Sequence, residues 1–171
     1  LREVSSNADD VPVTDKVWLT PSQGRTWSNY MGVYHRLEFE MNRQLQAECG
    51  LSLADYTVMN ALSVATGRRL RLSQLAITIG WERSRLSHHL QRMAGRGFVD
   101  RVQSDTDGRA TDALLTDSGL KTLRAVAPKH VAWVRTLFFS DLDEDRVDEL
   151  GDLLGEVFQT ILREGTLPRP D

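Results

Sequence analysis

A mainly α-helical chain interrupted by one β-hairpin is what the sequence predicts, and three observations carry that reading. Apolar residues recur at helical spacing through most of the 171 residues. Between Phe98 and Leu115 the period changes to two, around the turn-rich stretch SDTDGR. Positive charge gathers in the same region, although the chain as a whole has a formal net charge of -3. A chain of this length with 40% hydrophobic residues can bury a core as one domain, or as one small domain with an oligomerisation element.

Taken in order, residues 1–24 are polar, contain Pro12, Pro21 and Gly24, and read as a mobile arm with a short docked piece around Val17, Trp18 and Leu19. Thr26 to Glu48 repeats apolar residues at Val33, Leu37, Met41 and Leu45, which is helical spacing, with Gly50 as its stop. A second helix spans Leu53 to Ala65 and a short third one Arg71 to Gly80, with Ser73 near its start. The fourth opens in Trp81-Glu82-Arg83, runs to about Ala94 and stops at Gly95 or Gly97. FVDRVQ and ATDALL then read as two strands, the second alternating less cleanly. Thr116 is a good N-cap for a long helix to about Phe139, kinked at Pro128. Asp143 caps a last helix whose stripe is Val147, Leu150, Leu154, Val157, Phe158 and Ile161, and GTLPRPD is a tail.

Composition excludes several classes. No apolar run approaches the roughly 20 residues that span a bilayer, and the polar N-terminal stretch lacks a signal-peptide core, so the expected compartment is the cytoplasm. A single cysteine, Cys49, fits a reducing environment. Charge is uneven: residues 1–66 carry 5 basic against 8 acidic side chains, 67–109 carry 9 against 4, and 110–171 carry 7 against 12. Only the middle segment is built to meet an anion. Of the basic residues 18 are Arg and 3 Lys, a bias that suits phosphate and guanine edges but that genomic composition also produces.

On a helical wheel, Leu86, Leu90 and Met93 form one apolar face of the fourth helix. Ser84, Arg85, His88, Gln91 and Arg92 occupy the opposite side, which has hydroxyl, guanidinium, imidazole and amide groups and no carboxylate. Such a helix fits the major groove of duplex DNA, and the tight link IGWER before it suits a helix-turn-helix. A hairpin with Arg101 on its first strand and Arg109 at its tip can reach the neighbouring minor groove or its phosphates. A polar helix face alone is as often merely solvated; the order helix-turn-helix-hairpin, with the positive charge confined to it, favours DNA.

The stretch LRLSQLAITIGWERSRLSHHLQRMAGRGFVDRVQSDTDGRATDALLTDSG resembles the winged helix of the MarR family, the multiple-antibiotic-resistance type of bacterial transcription regulator. The likeness rests on LSQLA before the turn, SRLSHHLQRM as recognition helix, RGFVDR entering the wing, Asp107 and Arg109 at its tip, and LTDSG opening the next helix. It covers roughly residues 27–163. One departure is DTDGRA, where the family often has two adjacent arginines. The resemblance implies a homodimer on double-stranded DNA, its N- and C-terminal helices intertwined and two winged helices presented to a pseudo-palindromic operator. The implied division is 1–24 arm, 25–50 dimerisation helix, 51–116 winged helix-turn-helix, and 117–171 C-terminal dimerisation helices and tail. It also places Ser84, Arg85, Ser87, His88 and Arg92 at DNA-contacting positions, with Ser87 at the edge and better suited to phosphate. Asp107 would hold Arg109 in pose, and Arg71 and Ser73 become phosphate contacts.

Members of that family often bind small aromatic or phenolic anions between the dimerisation helices and the winged helix. Trp27, Tyr30, Tyr34 and His35 on the first helix and His130 and Trp133 on the fifth are the candidates here, with an ordinary core or interface role as the alternative. No other cofactor is expected. Cys49 as a redox sensor is a further alternative, but no second cysteine exists to resolve it. His88 and His89 are adjacent rather than four apart, which argues against a metal site. Ser84 with His88 lacks a third group to orient the imidazole, so no catalytic residue is assigned. The resulting expectation is a ligand-responsive repressor; a ligand-insensitive architectural or activating DNA-binding protein is the other reading.

Overall fold

Residues 18–104, 108 and 110–170 are described by the structure, a computed structural model. They form two units, one ending at Phe39 and one beginning at Glu40. Helix α1 (Pro21–Cys49) passes from the first into the second. It starts within the stretch expected to be an arm, for a local reason. The Gln23 N–H donates to Thr20 Oγ1 at 3.2 Å and the Thr20 N–H to Gln23 Oε1 at 2.9 Å, a reciprocal cap. Pro21 takes the first helical position, where a missing N–H costs nothing. Trp18 and Leu19, expected to dock, are exposed, and Val17 lies outside the described residues.

The second unit holds the core. Helix α2 (Leu53–Val64) opens with a capping box between Ser52 and Asp55, and its Leu53 N–H donates to Asn42 Oδ1 of α1 at 3.0 Å. After a 3₁₀ turn (Thr66–Arg68) come strand β1 (Arg69–Arg71), helix α3 (Leu72–Ile79) and helix α4 (Arg83–Gly95). Strands β2 (Val99–Gln103) and β3 (Thr111–Leu115) follow, then helix α5 (Asp117–Val134), a π turn (Arg135–Phe139) and helix α6 (Glu144–Glu164). Leu45, Leu51, Val58, Met59, Leu62, Leu75, Leu86, Leu90, Met93, Val99 and Leu115 are fully buried together, so α2, α3, α4 and the sheet share one core.

Three expectations change. The hairpin is part of an antiparallel three-stranded sheet in the order β1-β3-β2, with Leu70 opposite Ala113 and Arg101 opposite the same residue from the other side. Arg71 therefore ends a strand, and the third helix begins at Leu72. Because β3 is central, its alternation blurs: Asp112 is buried as well as Ala113, and Arg69 Nε answers the Asp112 carboxylate at 2.8 Å. Finally, α5 runs unbroken through Pro128, and the irregularity falls at the π turn seven residues later. Gly119 in its first turn allows close approach to the sheet; a Cβ there would collide with the Phe98 carbonyl.

Candidate nucleic-acid interface

Glycines set both ends of α4. Gly80 ends α3 in the left-handed region (φ 69°), and the Trp81 N–H returns to the Ala76 carbonyl at 2.9 Å, fixing a tight turn. At the far end Gly97 (φ 72°), rather than Gly95, turns the chain, with the Phe98 N–H on the Met93 carbonyl at 3.1 Å. Leu86, Leu90 and Met93 are buried, as the wheel predicts. Ser84, Arg85, His88, Gln91 and Arg92 are exposed and Ser87 is half-buried at the edge. Helix α4 begins without a side-chain cap, which leaves its first N–H groups available to an anion. Among the predicted phosphate contacts, Ser73 is half-buried in the first turn of α3 and Arg71 is exposed just before it. Asp107 and Arg109, the predicted wing pair, lie outside the described residues.

Two of the arginines on the polar face are held from below. The Arg85 guanidinium lies over the Trp81 ring, 4.2 Å from its centroid. Arg92 Nη2 is 2.9 Å from His89 Nδ1. His89 is the buried member of the His88-His89 pair and turns away from the polar face. Its Nε2 is 3.0 Å from Asp55 Oδ1, an approach off the N–H axis and so more electrostatic than directional. Trp81 packs its ring edge-on against the same imidazole at 5.5 Å.

Asp55 is the centre of this arrangement, and the only local signal for it is the Ser52–Asp55 spacing of a capping box. One carboxylate oxygen accepts from the Ser52 N–H at 3.0 Å and from Arg96 Nη1 at 2.8 Å, and the other faces His89. Arg96 also donates through Nη2 to the Gly50 carbonyl at 2.7 Å and lies over the Phe98 ring. Burial alone would raise the Asp55 pKa, but the His89 ring N–H facing it and the hydrogen bonds from Ser52 hold it well below the ordinary carboxylate range. The start of α2, the middle of α4 and its C-terminal end are thus tied through one ionised, buried carboxylate.

The predicted effector residues fall in two groups. In the first unit Trp27, Tyr30 and Tyr34 follow one another along α1 with centroids 5.6 and 6.4 Å apart, and His35 meets Tyr34 edge-on at 5.1 Å. All four are exposed. In the second unit His130 is buried between Tyr56 at 4.6 Å and Trp133 at 6.2 Å, with Nδ1 3.3 Å from Gln44 Oε1. Tyr56 and Gln44 were not singled out from the sequence, since neither pattern nor charge marks them. Burial lowers the His130 pKa and raises that of Tyr56, so both are held neutral. Gln44 Nε2 is buried with no hydrogen-bond partner. Cys49 is half-buried and packs against the core.

The apolar stripe of α6 has no cover among the described residues. Leu153, Leu154, Val157, Phe158 and Ile161 are all exposed, Phe158 by 52% of its surface. Beside it an open groove of about 690 Å³ is lined by Val131, Val134, Phe139, Leu142 and Val147. No helix among the described residues is long and apolar enough to cross a membrane.

No family model matches the sequence, and no curated protein does. Solved structures do. AbsC of Streptomyces coelicolor, a MarR family transcriptional regulator, is 35% identical, with 84% of this chain and 97% of that one covered and a TM-score of 0.78. Sco3205 of the same organism, also a MarR family transcriptional regulator, is 34% identical over 90% of this chain and 95% of its own, with a TM-score of 0.81. The transcriptional regulator BldR of Sulfolobus solfataricus shares the fold at 20% identity, covering 82% and 96% with a TM-score of 0.73.

Proposed function

The chain belongs to the MarR family of transcriptional regulators, and from that membership we propose that it is a ligand-responsive homodimeric repressor, each protomer laying α4 in the major groove of a pseudo-palindromic operator. It is a DNA-binding transcription regulator, not an enzyme; the Sco3205 structure is a complex with DNA. The observation that carries the residue assignment is the exposed face of α4. Ser84, Arg85, His88, Gln91 and Arg92 stand there without a carboxylate, on a helix whose other face is fully packed. Arg85, His88, Gln91 and Arg92 would discriminate bases. Ser84, Ser87, Arg71 and Ser73 would contact phosphate, aided by the uncapped start of α4. By resemblance, Asp107 would pose Arg109 for the minor groove.

Dimerisation is supported by the uncovered stripe of α6, which a second copy of the chain would bury. An aromatic or phenolic effector is to be sought at the two aromatic groups, Trp27 to His35 and Tyr56-His130-Trp133. The second offers a Gln44 Nε2 without a hydrogen-bond partner among the described residues, and neutral polar groups that suit a phenol. Repression would follow from occlusion of a promoter. Fluorescence anisotropy against a duplex selected by the protein from a randomised library, with a scrambled duplex and a salt series, tests the DNA assignment. Titrating salicylate into the complex tests the effector, whose absence would favour the ligand-insensitive reading.

A further inference from the structure

We propose that His89 is a positioning residue for DNA reading: through Nδ1 it accepts a hydrogen bond from Arg92 and holds that guanidinium in the pose in which α4 meets DNA. This rests on the assignment of α4 as the reading helix. Arginine can only donate, so at 2.9 Å the Nδ1 atom of His89 is the acceptor and the ring proton sits on Nε2. That side of the ring faces Asp55 Oδ1 at 3.0 Å. Asp55 cannot swing away, because Ser52 and Arg96 hold its other oxygen. The imidazole cannot swing either, since it is buried and Trp81 packs against its face.

The order of constraint therefore runs outward: the cap of α2 and Arg96 fix Asp55, Asp55 selects the tautomer of His89, and His89 presents a lone pair to Arg92. One arm of the guanidinium is spent on this bond, and Arg92 remains an exposed residue with further donors to offer. An arginine pre-set in this way loses less freedom on binding, an effect worth roughly three- to tenfold in affinity.

The test uses full-length protein and a duplex that the wild type selects from a randomised library. His89→Phe keeps the ring and removes both nitrogens; it should weaken binding roughly three- to tenfold and relax preference at the same base positions as Arg92→Ala. The double variant should add nothing to Arg92→Ala alone. His89→Asn, whose amide oxygen can stand near the place of Nδ1, should recover part of the loss. Additive effects of the two variants overturn the proposal. Should the His89 variants not fold, ¹⁵N spectra of the wild-type ring decide: a proton on Nδ1 at neutral pH overturns it. If Arg92→Ala binds like the wild type, the assignment of Arg92 to DNA fails and the proposal falls with it. If only His89→Phe behaves like the wild type, the proposal alone fails.

Discussion

Helices α4 and α6 are both amphipathic, and they treat their apolar sides in opposite ways. In α4, Leu86, Leu90 and Met93 are wholly buried, and the polar face above them is braced by Trp81 and His89. In α6 no residue is buried, and Leu154, Val157, Phe158 and Ile161 stand in the open. The first helix is fully packed among the described residues; the second would be completed by the second copy proposed above. A reading surface must hold its side chains in place before DNA arrives, whereas an association surface gains its stability from the apolar area that a second copy removes from water.

The largest effect should come from hollowing the finished helix. Leu90→Ala should lower the unfolding free energy by about 2–5 kcal/mol, measured by urea titration; a loss under about 1 kcal/mol would mean that α4 is not anchored as described. On α6 the same chemistry should act on assembly instead. Phe158→Glu should raise the dimer dissociation constant by at least roughly thirtyfold, about 2 kcal/mol, in sedimentation equilibrium. A variant that remains a tight dimer would remove the contrast between the helices. Asp55→Asn should cost about 1–3 kcal/mol and change the acid response. The folded-state pKa of Asp55 is depressed, so its stabilisation is complete above about pH 4 and is lost as pH falls further. The asparagine variant should lack that portion of the acid loss; identical acid profiles would show that Asp55 is not the ionised centre. The smallest effect on folding belongs to Arg85→Ala, with stability unchanged within about 0.5 kcal/mol and binding to the selected duplex weakened by about 1–2 kcal/mol.

Long periodic elements were legible because burial of one face leaves a spacing in the sequence. The stripe of α4, the cap at Asp143, confirmed by the Arg146 N–H on Asp143 Oδ1 at 3.0 Å, and the two hairpin strands all follow from such patterns. Strand β1 did not, since three residues Arg-Leu-Arg have no period of their own and become a strand only by pairing with β3. Pro21 misled in the other direction: read as a loop residue, it occupies the one helical position that suits it. The polar face of α4 could be drawn on a wheel, but its bracing could not. Asp55, His89 and Arg96 are 34 or more residues from α2 to α4 in sequence and meet only in the fold. Nothing local marks His89 as buried and His88 as exposed except the wheel, which required one of the two to leave the polar face.

The central claim is that the exposed face of α4 reads sequence. Its most direct test is the base preference of Arg85→Ala beside the wild type, measured by competition between the selected duplex and single-base variants at one fixed salt concentration. The account predicts that the wild type rejects substitutions at one or two positions by roughly fivefold or more and that the variant accepts them, with the remaining positions unchanged. An identical preference profile for the two proteins would contradict it.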